Sequence, residues 1–223
     1  MKISELSRHT GVSVASIKFY VREGLLSGGV PTATNQADYG DEHVHRLRLI
    51  RALIDVGGLS VARVCGVLGA VDDHDTSLHD AFGEVMHGLG EPPATEPPER
   101  MATALREVHA WIARRGWMIE PDAPAPYALA GLISTLREFG LPAAIGEFDA
   151  AADAALVIAA AEVESARSMP DRTAAVETML IGTVVYERAF AEVRRIVLEA
   201  TSAAANARVT PRAPRRATRR DAH

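Results

Sequence analysis

Two short helical stretches separated by Thr10-Gly11 occupy the first two dozen residues, and neither is long enough to hold itself together in water. They must therefore be stabilised by packing on each other and on later helices of the chain. Ile3, Leu6 and Val12 flank a first helix from about Ser4 to His9. Gly11 supplies the backbone freedom of a tight turn. Ser13 then reads as an N-cap, its hydroxyl accepting an early helical N–H, and opens a second helix from Val14 to Glu23 that stops at Gly24. Val14, Ile17 and Val21 fall on one face at helical spacing and are expected to pack on the first helix. Ser16, Phe19, Arg22 and Glu23 point elsewhere, with Lys18 and Tyr20 at the flanks. Two short helices with a glycine-containing turn, the second presenting polar groups outward, form a helix-turn-helix arrangement.

The next segments support that core. Leu25-Leu26 begins an extended stretch, residues 27–31 form a turn, and the polar run Thr32 to Tyr39 suits a small β-wing. Asp41 reads as the cap of a third helix reaching about Val56, with Val44, Leu47, Ile50 and Ile54 inward. Gly57-Gly58 ends it, and Ser60 caps a fourth helix bearing Val64, Val67 and Leu68. Beyond Asp72, Leu78, Phe82, Val85 and Leu89 follow the four-three-four spacing of a coiled-coil seam. A proline-rich linker through Pro98 comes next, then helices near 99–115, 127–139, 142–168 and 171–204. Pro98, Pro126, Pro142 and Pro170 stand at or just before helix starts, where proline is tolerated. The expected fold is mainly α: an N-terminal winged helix-turn-helix at 1–70, a linking helix and linker at 71–98, an all-α effector-binding and dimerisation bundle at 99–204, and a disordered basic tail at 205–223.

Charge divides along the same lines. The chain carries 24 lysines and arginines against 29 acids, a formal charge of −5. Residues 1–70 hold eight basic against six acidic side chains, residues 71–207 ten against twenty-two, and residues 208–223 six against one. A middle of that sign repels a polyanion, so nucleic acid is expected to meet a local reading head rather than the whole surface. The single cysteine, Cys65, excludes a disulfide framework and any multi-thiolate metal site within one chain. No signal peptide or membrane-length apolar run is expected, which points to a soluble, cytoplasmic, nucleoid-associated protein.

The stretch Ser13-Val14-Ala15-Ser16-Ile17-Lys18-Phe19-Tyr20-Val21-Arg22-Glu23-Gly24-Leu25-Leu26 resembles the second helix of the MerR family of winged helix-turn-helix transcriptional regulators. The likeness extends back to Lys2-Ile3-Ser4-Glu5-Leu6 and Thr10-Gly11-Val12. It extends forward to Tyr39-Gly40-Asp41-Glu42-His43-Val44, Arg46-Leu47-Arg48-Leu49-Ile50 and Gly58-Leu59-Ser60. It covers about the first third of the chain. The resemblance implies a homodimer on near-palindromic promoter DNA, with RNA polymerase as a further partner. The candidate DNA-binding residues are Ser13, Ser16, Lys18, Phe19, Tyr20, Arg22, Thr34, Asn35, Tyr39, Arg46 and Arg48. A helix of this size fits the major groove, where Lys18 and Ser16 can meet base edges or phosphates. Phe19 and Tyr20 can lie on sugar or a thymine methyl. Arg22, Arg46, Arg48, Arg51 and Arg63 are candidates for contacts that position without specifying.

Three features depart from the family. Gly28-Gly29 replaces its Pro-Pro wing turn, and Pro31, Gln36 and Ala37 stand where arginine and aromatic contacts are expected. Lys18 stands where arginine is commoner, losing the bidentate fork for guanine. The seam at Leu78 to Leu89 spans only some three turns, so helices 142–168 and 171–204 are expected to add a second dimer contact.

Elsewhere no chemistry declares itself. His74, His79, His87 and His109 with Asp72, Asp73 and Asp75 lack compact ligand spacing, so neither metal nor cofactor is expected. No nucleophile–base pattern, phosphate loop or dinucleotide fingerprint suggests an enzyme. Trp111, Trp117, Tyr127, Phe139 and Tyr186 are the candidates to line a pocket for a small apolar effector. The alternatives are a constitutive DNA-binding factor whose acidic helices dock a protein partner, and a drug-sequestering module.

Overall fold

The computed structural model of the chain describes residues 1–33, 36–91 and 98–209. Helices α1 (Ile3–Thr10) and α2 (Val14–Arg22) are closed by the expected devices. Gly11 terminates α1 at φ 71°, a conformation glycine adopts without penalty. Ser13 Oγ accepts the Ser16 N–H at 3.0 Å and starts α2. A two-stranded antiparallel wing comes after it, β1 (Val30–Ala33) against β2 (Gln36–Asp38), with Val30 opposite Asp38 and Pro31 opposite Ala37. Gly29 permits its closure, because a Cβ there would lie 2.6 Å from the Asp38 carbonyl oxygen. Thr34 and Asn35 lie outside the described residues, as do the linker residues 92–97 and the tail from 210 onward.

Helix α3 (Asp41–Arg51) ends five residues earlier than its periodicity suggests and continues as a π-helical turn, Ala52–Val56. The Gly57 N–H bonds back to the Ala52 carbonyl at 3.0 Å, and the wider turn leaves Leu53 fully buried. Ser60 caps α4 (Val61–Asp72) and Ser77 caps α5 (Leu78–Leu89). The seam on α5 is consumed inside the chain. Ala81 and Val85 are fully buried, and Leu78, Phe82 and Leu89 pack against the same core as Val64, Val67 and Leu68. Gly88 meets Val67 so closely that a Cβ would fall 2.5 Å from its methyl.

Helices α6 (Glu99–Arg114) and α7 (Pro124–Glu138) pack on each other around Ala104, Val108, Ala130 and Ile133. A 3₁₀ turn, Ile145–Phe148, leads into α8 (Asp149–Arg167), of which only Ala152 and Ala166 are buried. Helix α9 (Arg172–Val209) is the longest element. Its opening turns return to the first core: Val176, Leu180 and Val184 are buried beside Leu6, Ile17, Leu47 and Ile50. Arg172 anchors that return, donating to the Thr76 carbonyl at 3.1 Å and to Thr76 Oγ1 at 2.7 Å. His45 on α3 meets Glu177 on α9 at 2.8 Å. The chain divides into two units, Met1–Val185 and the segment from Tyr186 onward, whose described part is the remainder of α9. Among the described residues, no helix is long and apolar enough to cross a membrane.

Candidate nucleic-acid interface

Ile17 is fully buried and sets the azimuth of α2. Lys18 is consequently exposed, and Ser16, Phe19 and Tyr20 are half-buried at its sides. Phe19 and Tyr20 meet at 5.8 Å between ring centroids, with Tyr20 also packed against the core. The Arg22 guanidinium lies 5.1 Å from the centre of the Phe19 ring and pairs with Glu23 at 3.2 Å. Ser13 and Ser16 share a hydroxyl–hydroxyl bond at 2.8 Å, so Ser13 serves α2 as its cap. The structure thus gathers Ser16, Lys18, Phe19, Tyr20 and Arg22 on the surface of one helix.

The arginines divide into two groups. Arg46 is committed: its Nε–H donates to the Leu25 carbonyl at 3.0 Å, and its two terminal nitrogens grip the Asp72 carboxylate at 2.9 and 2.6 Å. That fork ties α3 to the turn after α2 and to the end of α4. It accounts for Arg46 better than a phosphate does. Arg51 pairs with Asp55 at 2.9 Å and donates to the Thr10 carbonyl. Arg63 binds the Gly88 and Leu89 carbonyls and Glu91. By contrast Lys18 and Arg48 are exposed and form no ion pair with a described residue; Arg8 on α1, which sequence reasoning passed over, shares that condition.

The wing is tied down from the amino terminus. Met1 and Tyr39 exchange two backbone hydrogen bonds, each 2.8 Å. Lys2 Nζ reaches Thr32 Oγ1 at 3.0 Å and Asp38 at 3.2 Å. Tyr39 packs against the core and stands edge-on to the ring of His43, 5.0 Å away. His43, only 4% exposed, accepts the Gly40 N–H on Nδ1 at 3.0 Å and faces Ser27 Oγ from Nε2 at 3.3 Å. This joint between wing and α3 escaped sequence reasoning, because a lone histidine carries no periodic signal.

The effector candidates are dispersed. Trp111 and Trp117 stand edge-to-face at 5.3 Å, and the Arg115 guanidinium lies 5.0 and 5.1 Å from their ring centres. Trp111 Nε1–H donates to Asp149 at 2.7 Å, while Arg115 pairs with Asp149 at 2.9 Å and Asp153 at 2.7 Å. The two indoles therefore face a side chain of the protein itself. Tyr127 stacks edge-on to His109 at 6.2 Å, Phe139 is 76% exposed, and Tyr186 belongs to the second unit.

Similarity to known proteins agrees with this geometry. The description "MerR HTH family regulatory protein" fits residues 1–70. "Heavy metal-dependent transcription regulator 2" of Rhizobium meliloti (strain 1021) is 31% identical over 108 residues, 48% of this chain and 69% of that protein. The chain belongs to the MerR family. "HTH-type transcriptional regulator HmrR" of Sinorhizobium medicae (strain WSM419) is 35% identical over 91 residues, 41% of this chain. The chain spans 61% of the length of HmrR. Along nearly its whole length this MerR-family chain also resembles the solved structure of SCO5550 from Streptomyces coelicolor A3(2), with TM-score 0.67, 29% identity, and 91% and 96% of the two chains covered.

Replacing Arg46 with Gln is expected to lower the unfolding free energy by about 1–2 kcal/mol, since it leaves the Leu25 carbonyl unpaired and removes a charge-assisted fork to a largely exposed carboxylate. Urea unfolding measures this; an unchanged midpoint would return Arg46 to the DNA-contact candidates. Asp149 gives a pH signature. The Trp111 N–H and then Arg115 hold its carboxyl below the ordinary value. A folded pKa depressed below the unfolded one contributes stability that is present above the unfolded pKa and lost as pH falls through the folded pKa. The wild type is therefore expected to lose more stability between pH 7 and pH 3 than Asp149→Asn does, as read from urea midpoints. Equal losses would contradict the assignment.

Proposed function

We propose that the chain is a transcription regulator that reads a near-palindromic promoter operator as a homodimer, with α2 in the major groove. One observation carries this reading: Lys18 stands exposed on a helix whose inner face is locked into the core by Ile17. Ser16 and Lys18 meet base edges or phosphate, Phe19 and Tyr20 lie on sugar and thymine methyl, and Arg22, Arg8 and Arg48 neutralise phosphates. Distortion of the promoter so that RNA polymerase can engage costs about 1–6 kcal/mol for a site of twenty to thirty base pairs on elastic estimates. An effector with a differential affinity of that size for the two protein–DNA states gates transcription.

The effector is a small apolar molecule taken up by residues 99–204. Support comes from apolar side chains left open there: Met118 is 97%, Leu132 63% and Phe139 76% exposed. The Rhizobium meliloti relative is named as heavy metal-dependent, but the one thiol of this chain, Cys65, is a poor basis for thiolate coordination of a metal. Those exposed apolar groups on an acidic region also suit a protein partner, the second reading.

Lys18→Ala and Tyr20→Ala are each expected to abolish specific binding to an operator selected from random duplexes while leaving the fold intact by circular dichroism. Lys18→Ala additionally shallows the dependence of log affinity on log salt by about two units for the dimer, because one phosphate charge in each half-site goes unneutralised. Gel shifts with unchanged affinity and specificity in both variants would refute the placement of α2.

A further inference from the structure

The chain has two tryptophans, and Trp111 and Trp117 form one corner. Their rings stand at 81° with centroids 5.3 Å apart, and a single cation, the Arg115 guanidinium, lies over both at 5.0 and 5.1 Å. Two carboxylates of α8 close the same corner: Asp153 and Asp149 take the terminal nitrogens of Arg115 at 2.7 and 2.9 Å. Angled aromatic rings with carboxylates beside them are the chemistry that recognises an organic cation, since ring quadrupole and carboxylate both stabilise positive charge. We propose that this corner is a cation site in which Arg115 is the internal stand-in, and that the effector carries a quaternary ammonium on its apolar body and enters by displacing the guanidinium. The inference rests on the effector reading above and adds the ligand's charge and the residues that receive it.

Arg115 is an exchangeable occupant on three grounds. It fits imperfectly: its Nε–H is buried with no hydrogen-bond partner among the described residues, so one of the five guanidinium donors is desolvated without return. A quaternary ammonium has no N–H to leave unpaired. The corner is also reachable, because the Asp149 and Asp153 side chains are 54% and 69% exposed and lie outside the core of α6 and α7 around Val108 and Ile133. Lastly, residues 71–207 hold ten basic against twenty-two acidic side chains, a field that concentrates cations and repels anions. The exchange conserves charge: one cation leaves as another arrives, so the two aspartates are never left to repel each other unneutralised. The Trp111 N–H donates to Asp149 at 2.7 Å without help from Arg115 and holds that carboxylate in place throughout. Met118 and Ile119, next in the chain after Trp117, are exposed and offer apolar surface to the ligand's substituents.

Because both tryptophans of the chain belong to the corner, intrinsic fluorescence of the full chain reports the site directly. Choline and 3,3-dimethylbutanol have the same shape with and without the charge. At constant ionic strength, choline is expected to shift the tryptophan emission saturably, and the neutral isostere to bind at least ~10-fold more weakly. Arg115→Ala, with circular dichroism unchanged, removes the internal competitor and is expected to tighten choline at least ~10-fold; Trp117→Ala weakens it by a similar factor, read from Trp111. The wild-type comparison of the two probes decides alone if Arg115→Ala does not fold. Equal binding of choline and its isostere would overturn the cation assignment while leaving an apolar effector standing. Emission that neither probe moves, in the wild type and in folded Arg115→Ala, would make Arg115 a fixed tie and overturn the site. Calorimetric binding of neutral apolar compounds with that emission unmoved would then keep the effector and place it elsewhere.

Discussion

Helix α2 spans nine residues, Val14–Arg22, too few turns to persist in water. Whatever its outer face does depends on how its inner face is held. Burial of Ile17, worth about 1.5–3 kcal/mol by area, fixes the rotation of the helix, and the Ser13 hydroxyl fixes its start. Lys18, one residue on, is thereby turned some 100° away from the core. The outward surface of α2 is a consequence of that packing rather than a separate feature.

Cations in the head serve two purposes, and geometry separates them. Arg46, Arg51 and Arg63 close on backbone carbonyls and carboxylates and hold α3, α4 and α5 in place. Lys18, Arg8 and Arg48 stay outward. The wing contributes little positive charge. Its Gly28-Gly29 turn and the Pro31, Gln36 and Ala37 side chains offer no cation, and Lys2 is drawn to Asp38 and Thr32. In the proposed complex the weight of phosphate neutralisation therefore falls on the helices. In that proposed complex the acidic excess beyond Asp72 disfavours contact of DNA with the later helices.

What was legible in the chain was what is encoded locally. Ser13, Ser60 and the turn at Gly11 announced caps and boundaries because each acts on neighbours within four residues. Ile17, Leu47, Ile50 and Val64 declared the core by spacing. The features that escaped are long-range. The Arg46 fork joins residues 26 apart, and His45 meets Glu177 across 132. The π-helical turn at Ala52–Val56 ends at Gly57, where a Cβ would fall 2.6 Å from the Leu53 carbonyl oxygen and 3.0 Å from a methyl of Val184, a neighbour no local pattern reveals. The α5 seam looked like a dimer surface because a heptad reads the same whether its partner is another chain or α4.

The most direct measurement of the central claim is site-specific photo-crosslinking on a duplex selected by the full chain. A benzophenone side chain in place of the half-buried Phe19 is predicted to form a covalent adduct with DNA within the operator half-site, while the same group in place of the more exposed Phe139 forms none. Adducts from position 139 and none from position 19 would contradict the account.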